Sequence, residues 1–173
     1  MKRIALLCVA VGLSASCGSS KHATGTTTTS APSSTLAQRP TSTPVSGRWV
    51  NPTAAVTISV TEGVIKQRSG TIWTGDLSGK TTYISYVHAV PNQTGAFAGT
   101  IDEIFSGSVR GIGRGQLFLA EKITVSATGA VLNIARITRG TGGLVAVRGN
   151  LRFTGTANLS GIGNGPYTGM IHR

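Results

Sequence analysis

The rhythm of glycines between Gly99 and Gly155 constrains this chain more than any other feature. In GTIDEIFSGSVRGIGRGQLFLAEKITVSATGAVLNIARITRGTGGLVAVRGNLRFTG, short alternating or wholly apolar runs are cut about every ten to fifteen residues by glycine-rich turns. Consecutive antiparallel strands have this pattern. The same punctuation extends outward, and eight strand-like segments are expected. They are Ala54 to Glu62, Ser69 to Leu77 with Trp73, Thr81 to Ala89, Gly95 to Phe105, Gln116 to Ser126, Ala130 to Thr138, Leu144 to Thr154 and Pro166 to His172. No stretch of a dozen residues has the apolar spacing of a helix. Many short strands joined by glycine turns fit a sandwich or a closed barrel, and closure removes exposed edges. The expected fold class is all-β, a small antiparallel barrel of about eight strands.

Two different segments precede this body. Lys2 and Arg3 begin the chain, Ile4 to Leu13 is apolar, and Ser14, Ala15 and Ser16 lead to Cys17, which is followed by Gly18. The apolar run is too short to span a bilayer of about 30 Å as a helix, so it reads as an export signal. The small residues before Cys17 resemble a bacterial lipobox, with Ser14 where an aliphatic residue usually stands. That resemblance implies lipidation of Cys17 and a protein held on the cell membrane outside the cytoplasm. The alternative is an ordinary signal cut near Ala15 or Cys17 and a secreted product. From 18 to 46 the chain is Ser/Thr/Pro-rich and has almost no large apolar residue. Such a stretch buries too little surface to offset ordering and reads as a disordered tether. The domain plan is therefore a signal over 1–17, a tether over 18–46 and a barrel over 47–173.

Cys8 falls in the signal and Cys17 at its end, which leaves the body without a thiol, a disulfide or a thiolate metal site. Removing Lys2 and Arg3 leaves +9 of the formal +11 charge. That balance favours anionic envelope polymers or headgroups as neighbours. Nucleic acid is not expected, because the bases are scattered and the aromatics form no stacking platform. No cofactor or metal is expected either: the histidines His22, His88 and His172 are dispersed, and the glycine clusters at 111–115 and 161–165 are followed by strand-like sequence where a dinucleotide site needs a helix.

Three of the five acidic residues stand in strand register with apolar neighbours. Glu103 alternates with Ile101 and Phe105, Glu121 with Leu117, Leu119 and Ile123, and Glu62 continues the face of Val56, Ile58 and Val60. If these faces line the barrel, the carboxylates are desolvated and need partners. Arg136, in register with Leu132 and Ile134, and Arg148, in register with Leu144 and Ala146, are the candidate partners. A structural Glu to Arg pair and a ligand or acid/base site both fit this pattern. The candidate ligand-binding set is Glu62, Glu103, Glu121, Arg136 and Arg148, with Trp73 and Phe105 as apolar members; no catalytic residue is assigned.

EIFSG at 103–107, GIGRGQLFL at 111–119 and RGTGGLVAVRGNLRFTG at 139–155, with SGTIWTGDLSGKTTY at 69–83, resemble a bacterial domain family whose members have an allene oxide cyclase-like barrel. The resemblance covers most of the body and none of the tether. It implies a small calycin-like barrel with a cavity and implies no established reaction. The expected function is binding of a small apolar or amphipathic, lipid-like ligand, on which an anionic group is allowed. The alternatives are an isomerase or cyclase acting on a lipid-like substrate, and a filled barrel serving as a cell-envelope interaction module.

Overall fold

A computed structural model describes residues 41–173. The signal-like segment, Cys17 and the tether up to residue 40 lie outside the described residues. The described part contains ten strands: β1 (Thr43–Asn51), β2 (Val56–Thr61), β3 (Val64–Ser69), β4 (Ile72–Gly75), β5 (Leu77–Ala89), β6 (Phe97–Val109), β7 (Gly113–Val125), β8 (Ala130–Gly140), β9 (Arg148–Ala157) and β10 (Gly163–His172). Every pairing is antiparallel. Strands β4 to β10 follow one another around the wall, and β1 lies between β10 and β4, so eight strands close into a barrel. The all-β barrel expected from the glycine rhythm is the fold observed.

Its membership differs from the expectation in two places. The segment expected as the first barrel strand, Ala54 to Glu62, supplies β2, which pairs with β3 as a hairpin outside the closed ring. Glu62 and Gly63 both have positive φ, 50° and 78°, the two-residue turn whose twist matches that of its strands. The true first strand, β1, begins at Thr43, inside the stretch expected to be tether. Val45 there points inward and is buried, and the backbone N–H of Ser46 donates to Asp76 Oδ2 at 2.7 Å. A single inward valine among Thr, Pro and Ser leaves almost no apolar pattern, and pairing with β10 from Thr43↔Ile171 to Asn51↔Gly163 supplies the order.

The barrel is filled at one end and open at the other. At the filled end Leu77, Val109, Leu117, Ile137, Leu151 and Ile171 converge from six strands. A 3-10 turn at Gly142–Leu144 brings Leu144 and Val147 down onto them. The segment expected as a strand from Leu144 thus opens with a plug, and β9 starts at Arg148. Above this layer lies an aromatic one. Trp73 stacks on Phe105 with ring centroids 5.1 Å apart, and meets Phe153 at 5.0 Å and Tyr167 at 5.7 Å. Tyr167 sits opposite Gly47, where an added Cβ would lie 2.4 Å from its hydroxyl. The missing side chain makes room for the ring. The hydroxyl then accepts from the Leu77 N–H at 2.8 Å and donates to the Leu77 carbonyl at 3.1 Å. Beyond the aromatic layer the interior is not filled.

Candidate functional site

The open half encloses a cavity of about 390 Å³. Its floor is the upper side of the aromatic layer, Trp73 and Phe153, with Trp49 beside them. Trp49 faces Gly165 across the β1–β10 pairing, and its indole Nε1–H donates to the Thr154 carbonyl at 2.9 Å. A Cβ on Gly165 would stand 1.8 Å from that same oxygen. The walls are the inward residues of the long strands, including Phe97, Ile101, Ile123, Val125 and Val131. Loop residues Gly95, Ala127 and Leu159 form the rim.

Polar side chains interrupt this lining in one band. Glu103 and Glu121 point in from β6 and β7 and are buried. Ile101 is the residue directly across from Glu121, which makes the two glutamates diagonal neighbours, about 7 to 8 Å apart at Cα and within reach of each other. Thr71 Oγ1 donates to Glu103 Oε1 at 3.1 Å. Asn133 Nδ2 donates to Glu121 Oε2 in a short hydrogen bond. The other oxygen of each of that pair, Glu121 Oε1 and Asn133 Oδ1, has no hydrogen-bond partner among the described residues. Burial first, then the charge of Glu103 and a hydrogen bond with it, push the Glu121 carboxyl well above the usual carboxylate range. The hydrogen bond from Asn133 pulls the other way and is outweighed. The Glu121 carboxyl therefore favours its protonated form.

Tyr83 on β5 stands directly opposite Glu103 and adds its hydroxyl to the band. Burial raises its phenol above the ordinary value, the two glutamates adding to the rise and a hydrogen bond with Ser69 opposing it. Asn51, almost wholly buried at the end of β1, ties the seam where β1 parts from the β2–β3 hairpin. Its Nδ2 donates to Tyr83 Oη at 3.0 Å and to the Gly161 carbonyl at 2.7 Å, and its Oδ1 accepts from Ser69 Oγ at 3.3 Å. One amide thus joins three parts of the rim and wall.

The structure brings together only part of the set expected from sequence. Glu103, Glu121 and Trp73 line the cavity, and Phe105 lies beneath Trp73 as its support. Glu62 is exposed in the hairpin turn, because the alternation of β2 continues outside the closed wall. Arg136 is exposed: on β8 the inward face is Val131, Asn133, Ala135 and Ile137, and Leu132 and Ile134 point outward with it. Arg148 donates to the carbonyls of Val145 and Val147 at 3.1 and 2.7 Å, at the filled end. The expected Glu to Arg pairing does not occur, and the sole ion pair among the described residues is Asp76–Arg110 on the surface. Thr71, Tyr83, Asn51 and Asn133 were not expected in the site. For Asn133 the signal was a polar residue alternating with Val131, Ala135 and Ile137, obscured by an equally apolar opposite face. Chemically the band offers a proton donor and acceptor in Glu121 and Glu103, a phenol, and two unused acceptor oxygens. Compared with known proteins, the chain matches no family model and no curated protein significantly.

Proposed function

We propose that this is an exported barrel protein, held on the cell membrane through a lipidated Cys17, that binds one small, largely apolar or amphipathic ligand inside its open half. Kinship to the allene oxide cyclase-like barrel family belongs to the same proposal. The observation that supports binding most strongly is the cavity itself: about 390 Å³, walled by apolar side chains, with a few convergent polar groups at one level. Sites for small molecules have that size and composition. A surface-only interaction module has no use for such a space, and the half-filled interior argues against that reading. The basic exterior fits anionic envelope polymers as neighbours, an attraction that would weaken with salt.

A second reading, isomerisation of the bound molecule, draws on the neighbouring carboxyl groups of Glu103 and Glu121. One carboxyl can give a proton while the other takes one, the requirement for acid/base rearrangement without a cofactor. Native mass spectrometry of the protein from cells that make it, before and after organic extraction, tests the binding proposal. A defined extra mass that is lost on extraction is the expected result. A bare mass in both samples, with no uptake from a lipid panel, would refute it.

A further inference from the structure

The interior of this barrel holds two carboxyl groups with no base opposite them among the described residues. Glu103 and Glu121 are both buried, and no lysine, arginine or histidine of the described residues lines the cavity. A buried carboxylate is costly unless a cation or several donors meet it. Glu103 has the Thr71 hydroxyl, and Glu121 has one amide N–H from Asn133. The atoms left over point to what is missing. Glu121 Oε1 and Asn133 Oδ1 are both acceptors without a donor among the described residues; both residues line the cavity, and the two oxygens are themselves turned away from it. A ligand carboxylate would add a further acidic group and supply no donor. An ammonium would supply charge and donors together.

Resting on the ligand-binding reading above, we propose that the ligand is an amphiphilic amine: an ammonium group seated against the Glu103 and Glu121 side chains, on an apolar body lying against Trp73, Phe153 and Val131. This reverses the anionic group that the basic composition allowed, because none of the described basic residues lines the cavity and Glu103 and Glu121 do. The groups that act on Glu121 are Glu103 from β6, the uncharged Asn133 from β8 and, more distantly, Asp102 on the outer face of β6.

The chain contains two tryptophans, Trp49 and Trp73, and both line the cavity, so intrinsic fluorescence reports its occupancy. Titrating the full chain with octylammonium, octanol and octanoate compares three head groups on one apolar body. At pH 7 octylammonium is expected to bind at least tenfold more tightly than octanol, and octanoate more weakly than either. Glu103→Gln with Glu121→Gln abolishes the preference while octanol still binds. The comparison in the unaltered chain stands even if that double variant does not fold. Equal binding of alcohol and ammonium, or tighter binding of octanoate, overturns the amine proposal and leaves ligand binding intact. Failure of all three to perturb the fluorescence overturns both.

Discussion

Burial of the Glu121 carboxyl with one oxygen unpartnered makes the stability of this protein depend on pH in a definite direction. The folded state holds that proton more tightly than the unfolded chain does, so nothing is lost where both forms are protonated. As pH rises above the ordinary carboxylate range of about 4, the unfolded chain ionises first, and stability falls until the folded carboxyl ionises as well. Glu121→Gln keeps the shape, removes the ionisation and places an N–H near the idle oxygen of Asn133. The variant is expected to match the parent at pH 4 and exceed it at pH 8 by about 1 kcal/mol, the scale of relieving a buried unsatisfied polar atom. Urea unfolding of both proteins at the two pH values measures this; a variant less stable at pH 8 would show that the carboxylate is held by contacts absent from this account. Glu103 and Glu121 were legible in the sequence because a charged residue alternating with Ile, Leu and Phe stands out. Asn133, Asn51, Thr71 and Tyr83 were not, since neutral polar residues occur on either face of a strand and only the closure of the wall decides which face is inside.

At the scale of elements, the strands of the run from Gly99 to Gly155 were readable because glycine turns marked their ends and alternation marked their faces. β1 was not. Its residues, TPVSGRWVN, continue the composition of the preceding stretch, and its order comes from β10 on one side and β4 on the other. Val45 is where this distinction can be measured. A valine in a tether contributes nothing to stability, whereas Val45 packs into the filled end. Val45→Ala is expected to lower unfolding stability by about 2 kcal/mol, two methylene equivalents plus part of a void. A change near zero in denaturant unfolding would return residues 43–46 to the tether. The β2 error has the opposite cause: a clean alternation that ends in an exposed hairpin, with Val56 and Val60 in water, shows that period alone marks a strand and not its burial.

For the molecule as a whole, packing and vacancy are divided along the barrel axis. The aliphatic layer and the Trp73, Phe105, Phe153 and Tyr167 layer hold the wall together from one end, and the other end encloses the cavity. The polar band of Glu103, Glu121 and Asn133 is part of that cavity's lining. The closing seam adds a constraint of another kind. The strand that completes the ring, β10, pairs with β1, separated from it by more than a hundred residues of sequence. During synthesis the nascent chain can make its hairpins in turn from β4 onward, yet the ring has no way to shut until Ile171 has emerged to meet Thr43. A barrel whose last contact joins its most distant strands stays open until β10 has been made.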